Sequence, residues 1–141
     1  MGLGFEERTV AGEPILIVDD NPLNLKVVRV LLTVEGFDVR TALNADEALA
    51  LLRTFHPRLI LMDLQMPGMD GLALTRHLKA DPATREICVV ALTAYAMKGD
   101  DQKALDAGCD GYITKPIDTH TLPGAVSAYL AGAPGGRGGP P

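Results

Sequence analysis

Five side chains of this sequence are of the types that handle a phosphoryl group, and all five fall at the ends of short apolar runs. Asp19 and Asp20 follow Ile15-Leu16-Ile17-Val18, Asp63 follows Leu59-Ile60-Leu61-Met62, Thr93 closes the run from Ile87 to Leu92, and Lys115 follows Tyr112-Ile113-Thr114. If the first and third runs are neighbouring strands, three carboxylates share one crevice. Like charges that close repel strongly at low dielectric and stay ionised together only beside a cation. An all-oxygen donor set suits a hard divalent ion, and Mg2+ takes one or two carboxylates while keeping waters and phosphate oxygens. A carboxylate that attacks phosphorus forms an acyl phosphate. Charge then spreads over three equatorial oxygens and needs compensation from several directions. Mg2+, the Lys115 ammonium, and the Thr93 hydroxyl with backbone N–H groups would supply it. Singly, each residue has a plainer role: Asp19 and Asp20 as helix caps, Asp63 as a solvated loop carboxylate, Thr93 as a backbone-bonded strand end, Lys115 as a surface charge. Those roles leave the coincidence of five residues unexplained.

The elements that must position these residues alternate strand and helix. Continuous apolar runs at 15–18, 59–62 and 87–92 predict strands buried on both faces, as in the middle of a parallel sheet. Val39-Arg40-Thr41-Ala42 and Tyr112-Ile113-Thr114 are shorter and mixed, which suits edges. Asn21 can cap a helix with Pro22 at its first position. Leu23, Val27, Val30, Leu31 and Val34 then form one apolar stripe of the kind that faces a core, and Gly36 ends it. Asn44 with Glu47 resembles a capping box ahead of Ala48, Leu49 and Leu52. A third helix is expected from about Gly71 to Ala80 with Leu74 and Leu78 inward. The fourth, near Met97 to Ala107, is the most polar, and the fifth spans about Thr119 to Leu130. Five strands alternating with five helices predict a single doubly wound α/β sheet of flavodoxin-like order 2-1-3-4-5. Ligands of such sheets bind at the carboxyl ends of the strands.

The chain has 141 residues, enough for one domain, with 47% apolar and 22% charged residues. Residues 1–13 read as a flexible polar leader, 14–131 as the domain, and 132–141 as a disordered Gly/Pro tail. A net charge of −5 offers no electrostatic footprint for nucleic acid or an anionic membrane. No apolar run has transmembrane length and no signal peptide is visible. Cys88 and Cys109 lack metal or redox spacing and read as reduced thiols of a cytoplasmic protein. His56, His77 and His120 are scattered, as surface residues are. Met66, Met69 and Met97 read as packing residues.

The strings Asp19-Asp20-Asn21, Met62-Asp63-Leu64-Gln65-Met66-Pro67-Gly68-Met69-Asp70-Gly71, Ala91-Leu92-Thr93-Ala94 and Gly111-Tyr112-Ile113-Thr114-Lys115-Pro116 resemble, in order, the motifs of response-regulator receiver domains. The resemblance covers about Ile15 to Leu130. It implies that Asp63 is the phosphoacceptor and that Asp19, Asp20, Asp63 and the backbone carbonyl of Gln65 hold Mg2+. By the same resemblance Thr93 would sense the phosphoryl group, Lys115 would bind it, and the Lys115–Pro116 bond would be cis. Tyr112 takes the switch-aromatic position, where an aromatic merely packed on a helix is equally compatible with the residues. Implied partners are a histidine kinase or histidine phosphotransfer protein upstream and a protein target downstream, through the face of helix 4, strand 5 and helix 5. Movement of Thr93 towards the phosphoryl oxygens would open space for Tyr112, and Gly99 in the polar fourth helix suits a shifting element.

Asp20-Asn21-Pro22-Leu23-Asn24 and Thr93 to Asp100 resemble single-domain regulators of the cell-cycle type, and similar strings occur in receivers of hybrid kinases. The chain stops soon after its fifth helix, so no separate enzymatic or DNA-binding output is expected. Catalysis is expected to extend only to its own aspartyl phosphorylation and dephosphorylation. Two other classes compete. A haloacid-dehalogenase-type phosphatase wants a second Asp where Gln65 stands. A phosphorylation-independent interaction module would lack one of the five residues, and none is missing.

Overall fold

The structure, a computed structural model, describes residues 12–66, 69–93, 100–114 and 119–131. The expected leader up to residue 11, the tail from 132, Tyr95, Met97, Gly99, Lys115 and Pro116 lie outside the described residues. The elements run β1 (Pro14–Val18), α1 (Pro22–Val34), β2 (Asp38–Ala42), α2 (Ala45–Leu51), β3 (Leu59–Asp63), α3 (Gly71–Ala80), β4 (Cys88–Thr93), α4 (Asp100–Ala107), β5 (Gly111–Thr114) and α5 (Leu122–Leu130). The five strands pair in parallel in the order β2-β1-β3-β4-β5, as the alternation of runs predicts. A two-stranded antiparallel ribbon, Gln65–Met66 against Met69–Asp70, stands between β3 and α3. The sequence reading passes over this ribbon, because two-residue strands carry no periodicity.

Side chains alternate across the sheet and build two apolar layers. Ile15, Ile17, Leu59, Leu61, Val90 and Leu92 pack with α1 and α5 through Leu25, Val28, Leu32, Leu122 and Val126. Leu16, Val18, Ile60, Met62, Val89 and Ala91 face the other way, onto Ala48, Leu74, Leu78 and Ala104. Both faces of β1, β3 and β4 are thus covered, which is why those runs are apolar without a break.

Helix α1 begins as expected. The Asn21 side chain accepts from the Leu23 and Asn24 N–H groups at 2.9 and 3.3 Å, with Pro22 in the first turn. Beyond its end Gly36 takes φ +100°, a conformation that favours glycine, and the Phe37 N–H returns to the Leu32 carbonyl at 3.1 Å.

The inward face of α1 differs from the expected one. Leu25, Val28 and Leu32 are buried, and of the expected stripe Leu31 packs partly buried against the same layer, whereas Leu23 is 66% exposed, Val34 77%, and Val27 and Val30 nearly half. Both sets fall on helical stripes. Periodicity finds both, and only contact with the sheet layer chooses between them.

The fifth helix starts at Leu122 rather than Thr119. Pro123 accounts for the difference: it lacks an N–H and is tolerated only in the first helical turn.

Candidate functional site

The parallel register of β1 with β3 pairs Val18 with Met62. The residues that follow, Asp19 and Asp63, therefore arrive side by side at the carboxyl edge of the sheet. One carboxylate oxygen from each of Asp19, Asp20 and Asp63 lies within 4.8 Å of the others. Asp19 and Asp63 are 1% and 2% exposed and form the floor, while Asp20 stands exposed at the rim. Two carboxylates at that separation repel by about 3 kcal/mol at an effective dielectric near 20. A hard cation removes this cost. Side chains that converge this closely would hold a hard divalent ion, with waters and phosphate oxygens completing its shell. All three donors are oxygens, and the set fits Mg2+.

Local structure holds Asp19 in place. Its N–H donates to the Ala42 carbonyl of β2 at 3.1 Å. Its Oδ1 accepts from the Asn21 N–H at 2.9 Å, and its Oδ2 from the Asn24 side-chain amide at 3.4 Å. Asn21 thus caps α1 and orients Asp19 at once. Asn24, one turn into the helix, supports the same carboxylate. The sequence reading missed this role, although an amide one turn beyond an acidic pair at a helix start is a signal that could have found it.

Behind Asp63, α3 begins at Gly71, where a Cβ would meet the Asp63 carbonyl oxygen at 2.6 Å and the Leu64 Cα at 3.2 Å. Only glycine lets the helix start come this close. The Thr75 hydroxyl, fully buried, donates to the Gly71 carbonyl at 2.9 Å and fixes that first turn. The Leu64 N–H continues the β3 ladder onto the Leu92 carbonyl at 3.1 Å. The next residue, Gln65, pairs with Asp70 in the ribbon, which sets the backbone two residues past Asp63.

Thr93 ends β4 opposite Thr114 of β5, so the backbone of Thr93 reaches the same edge as Asp63, whose ladder partner is Leu92. Lys115 follows Thr114 directly in sequence and lies outside the described residues. Tyr112 is 38% exposed on edge strand β5. Its carbonyl accepts a long hydrogen bond, 3.5 Å, from the Tyr129 hydroxyl, and the Tyr129 ring covers Gly111. Partial burial pushes the Tyr129 phenol above its ordinary pKa.

The remaining expectations separate cleanly. His56, His77 and His120 are exposed. Cys88 and Cys109 are free thiols. No helix among the described residues is long and apolar enough to cross a membrane.

Comparison with known proteins follows the same outline. A family model for the response regulator receiver domain matches residues 15–127. The polar-differentiation response regulator DivK of Brucella ovis is 43% identical over 119 residues, covering 84% of this chain and 97% of its own length. The receiver domain of a signal transduction histidine kinase from Syntrophus aciditrophicus superposes with a TM-score of 0.78 at 36% identity, over 87% of this chain and 93% of that one. The receiver domain of a sensor histidine kinase from Pseudomonas aeruginosa, with a magnesium ion coordinated in its active-site cleft, gives 0.77 at 32% identity, over 86% and 99%.

Proposed function

Because the chain belongs to the response regulator receiver domain family, we propose that it is a stand-alone cytoplasmic phosphoreceiver, residues 14–131, which takes a phosphoryl group on Asp63. The single observation that carries this reading is the convergence of Asp19, Asp20 and Asp63 at the carboxyl ends of two neighbouring buried strands. A carboxylate oxygen of Asp63 attacks phosphorus and a new O–P bond forms. The bond from phosphorus to the donor breaks, and the electron pair leaves with the donor's imidazole or carboxylate. Asp19, Asp20, Asp63 and the Gln65 carbonyl would hold Mg2+, which when bound offsets the charge of the phosphoryl oxygens. Lys115 pairs with a phosphoryl oxygen, and the Thr93 hydroxyl donates to another.

The donor in this reading is a histidine kinase or histidine phosphotransfer protein. The product is an acyl phosphate carrying new charge and acceptor oxygens. Thr93 moves towards it, Tyr112 follows, and the face of α4, β5 and α5 changes its affinity for a protein target. The half-exposed Tyr112, held at its carbonyl by Tyr129, is compatible with such a movement. Turnover beyond the chain's own phosphorylation and dephosphorylation is not part of this function. A second reading, a receiver that belongs to a hybrid kinase and relays the group onward, is favoured by the two kinase-derived structural neighbours.

The test is a Mg2+ titration followed through the amide spectrum, in the protein and in Asp19→Asn and Asp63→Asn. Saturable shifts centred on Asp19, Asp20, Asp63 and Gln65, weakened at least tenfold in either variant, support the reading. Shifts spread over unrelated acidic residues, or unaffected by the substitutions, contradict it.

A further inference from the structure

A groove with two basic side chains is connected through the chain to the acidic site. Between α1 and the β2–α2 connection lies a groove of about 310 Å3, walled by Pro22, Leu25 and Leu43 and lined on its polar side by Lys26, Arg29 and Thr41. Two of its walls are continuous with the carboxylate cluster. Pro22 is two residues past Asp20, and Leu43 follows Ala42, whose carbonyl accepts from the Asp19 N–H. Lys26 lies about 6 Å and Arg29 about 10 Å along the helix axis from Pro22, at 1.5 Å per residue.

Among the described residues, neither Lys26 nor Arg29 makes an ion pair. Arg58 and Lys79, by contrast, sit on Glu13 and Asp110 at 2.9 and 2.8 Å. The one acid of the groove, Glu47, is engaged through Oε1 by the Leu43 N–H at 2.7 Å, as part of the α2 cap. Two cations and one hydrogen-bonded carboxylate therefore line a concavity with an apolar wall and a hydroxyl, a local charge of about +1 in a chain whose net charge is −5.

The adjoining chemistry gives this arrangement a use. A phosphoryl donor is an anion, and it must approach an acidic chain whose acceptor is itself a carboxylate. Opposite charges within a Debye length, about 8–10 Å, concentrate an anion and raise its rate of encounter. We propose that the groove formed by Lys26, Arg29, Thr41 and Leu43 is a landing site for small phosphate-bearing anions, which it concentrates near the start of α1, from where they pass to the acidic site. The apolar wall favours a phosphate that carries a short organic group over inorganic phosphate. The proposal rests on the reading of Asp63 as phosphoacceptor only for its consequence. Binding itself does not require it.

The experiment has two arms. In Asp63→Asn without Mg2+, where no transfer can occur, inorganic phosphate and phenyl phosphate are titrated against the amide spectrum. Saturable shifts at Lys26, Arg29 and Leu43 are expected, tighter for phenyl phosphate, and lost in a protein that also carries Lys26→Gln and Arg29→Gln. In the otherwise unaltered protein with Mg2+, the double substitution is expected to raise the half-saturating concentration of acetyl phosphate roughly three- to tenfold. The effect falls on half-saturation rather than on the rate at saturation, and it shrinks as ionic strength rises. Groove amides that ignore both anions, or respond equally after the double substitution, overturn the proposal. So does an unchanged half-saturating concentration. If Asp63 accepts no phosphoryl group at all, the function proposed above fails, and the first arm still decides the groove.

Discussion

A methyl group on Gly71 would stand 2.6 Å from the backbone oxygen of Asp63, well inside contact distance. The first turn of α3 is therefore seated directly against the end of β3, and the position of the candidate acceptor depends on the absence of a side chain eight residues later. Gly71→Ala should lower stability by about 1–3 kcal/mol in urea unfolding, the usual cost of forcing atoms into a packed site. It should also slow Asp63 phosphorylation in the fraction that remains folded. Unchanged stability would mean that the start of α3 can slide away from Asp63 freely.

The two stripes of α1 make opposite predictions. Leu32 is fully buried against the sheet, and Leu32→Ala should cost about 2–5 kcal/mol. Val30 is 47% exposed, and Val30→Ser should stay within about 0.5 kcal/mol. Paired denaturant melts decide it. Equal losses at both positions would show that α1 is rotated from the orientation described.

At the opposite end of the sheet from the carboxylates, the Lys79 ammonium donates to Asp110 Oδ2 at 2.8 Å, to the Ile87 carbonyl at 2.7 Å and to the Arg85 carbonyl at 3.2 Å. The same Asp110 oxygen accepts from the Val89 N–H at 2.8 Å. This network joins α3 to the starts of β4 and β5. Because both side chains retain partial solvent exposure, Lys79→Met should cost about 1–3 kcal/mol rather than the larger penalty of a fully buried pair. Asp38→Asn, which removes the exposed pair with Arg40 and leaves the Arg40 guanidinium over the Phe55 ring, should change stability by less than about 1 kcal/mol and serves as the comparison. Equal effects of the two substitutions would contradict the network's role.

Much of this architecture was legible beforehand, for physical reasons that differ by element. The strands β1, β3 and β4 are buried on both faces, so their sequences are unbroken apolar runs and their ends could be read directly. The acidic cluster followed from those ends. Asn21 with Pro22 announced α1, and Asn44 with Glu47 announced α2, because capping is local chemistry. What resisted reading was tertiary. The inward stripe of α1 depends on the sheet beneath it, since Leu23-Val27-Val30-Leu31-Val34 and Leu25-Val28-Leu32 are both helical stripes, and of the first only Leu31 packs against the core. The start of α5 was locally encoded in Pro123 and was overlooked. The Asn24 support of Asp19, the Gly71 approach to Asp63 and the Lys79–Asp110 network each join residues whose spacing carries no signature until the chain is folded.

Burial places a pH dependence in the alkaline range. The Cys109 thiol is pushed up to about 11, chiefly by burial, and its Sγ lies 3.9 Å from the Thr75 hydroxyl. In the unfolded chain the same thiol deprotonates near 9. Between those values the folded state retains a proton that the unfolded state has lost, so stability falls as pH rises. The contribution is complete below about pH 9 and gone above about pH 11, with a slope of at most about 1.4 kcal/mol per pH unit. Urea melts from pH 8 to pH 10.5 should show this decline, and it should be shallower in Cys109→Ser. Identical slopes in the two proteins would remove Cys109 as its cause. Tyr129, whose pKa is also raised by burial, contributes in the same direction and remains in both.

The central claim is that Asp63 is a phosphoacceptor served by a bound divalent cation. Its most direct test is the intact mass of the protein after incubation with Mg2+ and a small acyl-phosphate donor, beside Asp63→Asn and a metal-free sample. The mass of one added phosphoryl group is expected in the protein with Mg2+ and in neither control. A folded protein that gains no such mass and releases no phosphate from the donor, or an adduct that survives Asp63→Asn, would contradict it.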